Sequence, residues 1–201
     1  MEIYVLRHGT TEWNRVRRLQ GCHDIALSEE GIRLAEKTGR AVLAVPFDIC
    51  FTSPLSRAET TARLVLCGRN IPVIRDERLR EISFGVLEGT RIRPKEEADP
   101  EDPLRLFFEH PERYPRPEGG EDLYDVIRRT GEFWKELTGN KDLRDKTVLV
   151  STHGCASRAL LQSVEGSIED YWKGHVPPNC SMTHIHADET GARIMELDMV
   201  F

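Results

Sequence analysis

Two short apolar runs that each end in His-Gly constrain this chain more than any other feature. Residues 2–7, EIYVLR, form an almost continuous apolar run that leads straight into His8 and Gly9. Residues 146–152, KTVLVST, repeat the shape and lead into His153 and Gly154. Runs of this kind read as strands buried on both faces of a parallel sheet. A third run, FDICFTSP at 47–54, closes on a Ser53-Pro54 turn.

Helical patterns lie between and after these runs. Ser28 is placed to cap a helix whose apolar positions are Ile32, Ala35, Val42 and Leu43, with Glu29 and Glu30 where the helix dipole favours acids. Leu55–Leu66 reads as a helix directly after the third run, Leu123, Ile127, Phe133, Trp134 and Leu137 as another, and Ala156–Val164 as one following His153. Strands alternating with helices predict an α/β fold, a three-layer, doubly wound and mostly parallel sheet. MTHIHA and RIMELDM flank Asp188-Glu189-Thr190-Gly191 and predict a terminal hairpin that adds an antiparallel edge strand.

At 201 residues the chain is expected to be one domain, residues 1–201. Residues 90–120 stand out, with six prolines and weak periodicity; they read as a helical and loop insertion over one end of the sheet, with a short helix at Leu104, Leu106, Phe107 and Phe108. The net charge of -6 argues against nucleic acid or an anionic membrane as a partner, so anion binding must come from a local cluster of cations. No apolar run approaches the roughly 20 residues of a membrane helix, and the N-terminus enters a strand pattern without a signal-peptide pattern. Five scattered cysteines without a C-x-x-C pair argue against a disulfide framework and favour the reducing cytoplasm.

In open α/β sheets, ligands bind beyond the carboxyl ends of the strands, where helix N-termini point free N–H groups. The three runs deliver Arg7 and His8, then Arg57, then His153 to that edge. Any one strand-end histidine would more simply be a surface or hydrogen-bonded residue. Four such groups on one edge, with a glycine after each histidine, suit a dianionic phosphoryl group, for which guanidinium forks are geometrically matched.

LRHGTTEWN resembles the signature of the histidine phosphatase superfamily, also called the phosphoglycerate mutase-like family. QGCHDIALSEEG (20–31), SPLSRAETTA (53–62), LREISFGVLEG (79–89), EGGEDLYDVIRR (118–129) and STHG (151–154) follow in the family's order. The resemblance implies that His8 is the nucleophile forming a phosphohistidine, that Arg7, Arg57 and His153 hold the phosphoryl oxygens, and that Asn14 and the Gly154 amide add contacts. Gln20 and Gly21 occupy positions of substrate-contacting residues. Glu81 matches the general acid, a role that requires a proton on its carboxyl and predicts partial burial near Ile82 and Phe84. Ala26 stands where a proline is common, a change confined to loop stiffness. Neither a metal nor a cofactor is implied.

Whether water or a second hydroxyl meets the phosphohistidine separates a phosphatase from a cofactor-dependent phosphoglycerate mutase. Mutases carry a longer, cationic insertion, whereas residues 90–118 hold six cations against eight acids and lack an arginine pair followed by a proline run. The chain therefore reads as a phosphomonoesterase acting on a small phosphorylated metabolite, as a monomer or homodimer. α-Ribazole phosphate, phosphoserine, a sugar phosphate and broad specificity all remain open, and Arg91, Arg93 and Lys95 are candidates to meet a carboxylate or second phosphate. A catalytically silent phosphoester-binding module would lack the nucleophile, an arginine or the acid, and none is lacking. A cysteine phosphatase built on Cys155 would need an arginine six residues on, where Leu161 stands; a metal site at His175, His184 and His186 has no carboxylate or cysteine at an evident ligand spacing.

Overall fold

A computed structural model describes residues 1–94 and 97–201. Lys95, grouped above with Arg91 and Arg93, lies outside the described residues. The three runs form β1 (Glu2–Arg7), β2 (Ile49–Thr52) and β4 (Thr147–Thr152), and a short strand that periodicity did not reveal, β3 (Val73–Arg75), joins them. The terminal hairpin forms β5 (Met182–Asp188) and β6 (Gly191–Met199). The order across the sheet is β3-β2-β4-β1-β5-β6. The first four strands run parallel, and β5 and β6 are antiparallel additions at one side.

Register sets the functional edge. Arg7 is level with Thr152 on β4, and Thr52 on β2 is level with Ser151. The residues that follow each strand end, His8, His153 and Ser53, therefore emerge side by side. β1 and β4 are central and covered on both faces, which is why their sequences are continuously apolar rather than alternating.

The helices are α1 (Glu12–Arg15), α2 (Glu29–Ala41), α3 (Ser56–Val65), α4 (Pro103–Glu109), α5 (Leu123–Gly139) and α6 (Gly154–Leu161). The Ser28 hydroxyl caps α2 by accepting the Gly31 N–H at 3.1 Å. The buried face of α2 differs from the apolar pattern: Ile32 is 37% and Leu43 59% exposed, while Gly31, Ala35, Thr38 and Gly39 face inward. Close approach decides this. A Cβ on Gly39 would lie 2.8 Å from the Leu64 carbonyl of α3, and one on Gly31 would lie 2.1 Å from the Thr10 carbonyl. Small residues let the backbones meet, and the larger apolar side chains are left outside.

The insertion shares its core with the rest of the molecule. Leu104, Phe107 and Tyr114 pack in one buried cluster with Phe84, Leu123, Val126 and Trp172. That cluster forms the wall of the cavity above the strand ends. No helix among the described residues is long and apolar enough to cross a membrane.

Candidate active site

The loop after β1 is fixed at both ends before any ligand is considered. Thr11 and Asn14 form a capping box: the Thr11 hydroxyl accepts the Asn14 N–H, and Asn14 Oδ1 accepts the Thr11 N–H at 3.1 Å. This commits the amide oxygen of Asn14 and leaves its NH2 group as a donor. The Gly9 N–H donates to the Thr61 hydroxyl on α3 at 2.9 Å, and Asn179 Nδ2 donates to the His8 carbonyl at 2.9 Å.

A hydrogen bond within the loop orients the imidazole of His8. Its Nδ1 lies 2.7 Å from the Gly9 carbonyl, an acceptor only, so the proton sits on Nδ1 and the lone pair on Nε2. Burial, then the positive charges of Arg57 and Arg7, hold the ring well below the ordinary imidazole range, so that it is neutral. The His153 ring lies 5.1 Å away, centre to centre.

Arg57, in the first turn of α3, is fully buried. Its Nε donates to His153 Nδ1 at 3.2 Å, and its two terminal nitrogens donate to the carbonyls of His23 (2.7 Å) and Gly21 (2.8 Å). A guanidinium carries five N–H donors, so two remain for a ligand. Arg7 donates to the Pro177 carbonyl, and its Nε is buried without a partner among the described residues. Burial pushes Arg7 down to about 10, which leaves it a cation at neutral pH. Gly154 stands over this group: a Cβ there would lie 3.5 Å from Arg7 Nε.

Glu81 is half-buried, and the start of α6 holds its carboxyl, which accepts the N–H groups of Ala156 (3.0 Å) and Cys155 (3.2 Å). The segment bearing it is clamped by Arg129 of α5, which donates to the carbonyls of Arg78 (2.7 Å), Arg80 (2.7 Å) and Glu81 (3.1 Å).

Arg7, His8, Asn14, Gln20, Gly21, Arg57, Glu81 and Gly154 line one cavity of about 720 Å3. His153 stands behind them with 0% exposure. Its Nδ1 accepts from Arg57, so Nε2 carries the proton and donates to the Ser53 hydroxyl at 2.7 Å. Gln20 is also oriented from behind, its Oε1 accepting the Thr11 hydroxyl at 3.0 Å.

Several supporting residues escaped sequence reasoning. Ser53, Glu88 and Arg129 lie inside the motifs quoted above but were assigned no task; Asn179 carries no sequence signal. Glu88 accepts the N–H groups of Cys22 (2.8 Å) and Phe84 (3.1 Å), tying the loop at 20–23 to the segment bearing Glu81. This explains Gly21, whose φ of +53° favours glycine and whose Cβ would lie 2.2 Å from Glu88 Oε1.

Cys155 is buried beside Tyr171, its Sγ 3.1 Å from the phenol oxygen; burial, and then the charge of Glu81, raise its thiol well above the ordinary range. That environment is opposite to a reactive thiolate's. His184 and His186 both bond the Glu2 carboxylate, at 2.6 Å each, while His175 meets Asp198 at 3.0 Å, so the three histidines do not converge.

The profile described as the histidine phosphatase superfamily (branch 1) matches residues 3–199. The 2,3-bisphosphoglycerate-dependent phosphoglycerate mutase 2 of Gloeobacter violaceus is 34% identical over 166 residues, 81% of this chain and 75% of that protein. Phosphoserine phosphatase 1 of Hydrogenobacter thermophilus is 30% identical over 200 residues, 99% of this chain and 92% of that protein. Among solved structures, Bacillus stearothermophilus YhfR superimposes with a TM-score of 0.88 and 32% identity, covering 100% of this chain and 98% of that one.

Proposed function

The chain belongs to the histidine phosphatase superfamily, and we propose that it hydrolyses a phosphomonoester of a small metabolite through a phosphohistidine at Nε2 of His8. One observation carries the reading: His8 Nδ1 lies 2.7 Å from the Gly9 carbonyl, which leaves Nε2 for the cavity that His8 shares with Arg7, Arg57 and Glu81.

The chemistry follows from those positions. The Nε2 lone pair attacks phosphorus while the bond to the alcohol oxygen breaks, and protonated Glu81 gives its proton to the departing oxygen. Arg7, through its unpartnered Nε, and Arg57, through its two remaining N–H groups, meet the charge on the equatorial oxygens. The Asn14 amide and the Gly154 N–H add donors, Gln20 and Gly21 shape the adjoining loop, and His153 holds the Arg57 guanidinium in plane. In the second half, water attacks phosphorus, the Glu81 carboxylate takes its proton, the P–N bond breaks, and phosphate leaves with His8 neutral again.

A mutase reading is favoured by one finding, the relatives named phosphoglycerate mutase at 31–36% identity. Length and charge favour hydrolysis. The alignment takes in 92% of the phosphoserine phosphatase against 75% to 86% of the mutases, and the insertion at 90–118 is net acidic. The deciding assay supplies 3-phosphoglycerate with and without 2,3-bisphosphoglycerate, together with p-nitrophenyl phosphate. Phosphate release supports the hydrolase; isomerisation to 2-phosphoglycerate without phosphate release overturns it.

A further inference from the structure

The cavity above His8 is larger than a phosphoryl group and a three-carbon alcohol require. Its volume of about 720 Å3 lies among pockets that enclose drug-sized ligands, roughly 300–1,000 Å3. One wall is aromatic, formed by Phe84, Phe107, Phe108 and Trp172. The rings brace one another edge to face, with Phe107 centred 5.2 Å from Phe84 and 5.1 Å from Trp172. The Trp172 Nε1–H is committed to the Phe107 carbonyl at 2.7 Å, and Phe84, Phe107 and Trp172 are buried, so the half-buried Phe108 ring they brace is what this wall presents as apolar carbon.

The rest of the lining is strongly cationic. Among the described residues seven arginines line the cavity against three carboxylates, in a chain of net charge -6. Arg7 and Arg57 face the phosphoryl site. Arg18 donates to the Gly89 carbonyl at 3.0 Å, and Arg105 to Glu109 at 3.0 Å. Arg17, Arg91 and Arg93 have no acid within ion-pair distance among the described residues. Backbone pairing gathers them: Arg18 bridges Arg91, and the Ile92 N–H donates to the Arg17 carbonyl at 2.8 Å. Juxtaposed like charges destabilise such a pairing, and an anion between them reverses the sign.

We infer that the substrate is a phosphomonoester whose alcohol carries an aromatic body and, beyond it, a second anionic group. The body lies against Phe108, which Phe107 and Trp172 brace from behind, and the anion is held by Arg17, Arg91 and Arg93. The inference rests on the hydrolase reading and adds the substrate class to it. Phosphoserine would fill the phosphoryl site and leave both outer walls uncovered.

The test compares phosphoserine, phenyl phosphate, and a tethered series of para-carboxyphenyl, carboxymethylphenyl and carboxyethylphenyl phosphate. Binding is measured by calorimetry on His8→Ala, which keeps each ester intact, and kcat/KM on the unaltered protein. At least one tethered ester is expected to bind about tenfold tighter than phenyl phosphate, a difference the size of one good charge-assisted contact, and phenyl phosphate tighter than phosphoserine. Arg91→Glu with Arg93→Glu should remove the advantage of the tethered ester over phenyl phosphate, and raised salt should shrink it. Equal binding of phenyl phosphate and every tethered ester, or tightest binding of phosphoserine, overturns the proposal. Should His8→Ala fail to fold, the same ranking of kcat/KM decides. Preferential binding without phosphate release would instead overturn the hydrolase reading and leave this one standing.

Discussion

Nε of Arg57 donates to Nδ1 of His153 at 3.2 Å, joining a guanidinium and an imidazole that lie 96 residues apart. The bond fixes the tautomer of His153, sends its other N–H to Ser53, and aims the remaining donors of Arg57 into the cavity.

If His153 acts by holding Arg57, the two cannot contribute independently. Arg57→Ala is expected to lower kcat by about 10²–10³, the cost of removing a preorganised oxyanion donor. His153→Ala should cost less, and the double variant should be little worse than Arg57→Ala alone. Losses that multiply would mean that His153 has its own contact with the substrate.

Glu81→Gln keeps one of the two oxygens that accept the α6 amides but has no acidic proton to give. Hydrolysis of alkyl phosphates should slow far more than hydrolysis of p-nitrophenyl phosphate, whose leaving group needs little protonation. Equal slowing across leaving groups would remove Glu81 from the acid role.

Burial and neighbouring positive charge lower His8 and His153 well below the ordinary imidazole range. The unfolded chain therefore takes up protons at these sites that the folded chain refuses, and stability falls as pH drops below roughly 6.5. Each ring contributes up to about 1.4 kcal/mol per pH unit below that point. Denaturant melts between pH 8 and 5 should give this slope, and the His8 Hε1 resonance should not titrate near pH 6.5.

Gly21→Ala places a methyl group 2.2 Å from Glu88 Oε1 at a φ of +53°. Backbone strain alone is worth about 1–3 kcal/mol. Thermal melting should report that loss, and KM should rise because the Gly21 carbonyl anchors Arg57. A variant with unchanged melting and KM would mean that the loop at 20–23 is looser than drawn.

Cys155 is buried with its thiol raised well above the ordinary range, whereas Cys67 is exposed. Iodoacetamide should label Cys67 first and spare Cys155, and activity should survive that labelling. Rapid inactivation through Cys155 would revive a thiol-based mechanism.

Much of the molecule was legible because the information is local. Continuous apolar runs reveal central strands, since a strand covered on both faces has no polar side to show. The Ser28 cap acts within three residues, and the His-Gly pairs mark strand ends whatever the sheet order. Where information is shared between distant segments, the pattern misled or fell silent. The inward face of α2 is chosen by how closely α3 and the Thr10 carbonyl approach, so Gly31 and Gly39 are buried and Ile32 and Leu43 are not. The partner of Glu81 is a helix start more than seventy residues away.

By itself, then, the sequence determined the strands other than β3, the Ser28 cap of α2 and which reactive groups stand at which strand ends, because periodicity and capping are properties of neighbours along the chain. The tertiary structure decided which nitrogen of His8 is free, that His153 lies behind Arg57, and that Arg17, Arg91 and Arg93 share a cavity with an aromatic wall. Those outcomes depend on sheet register and side-chain packing across segments that meet only when the chain is folded.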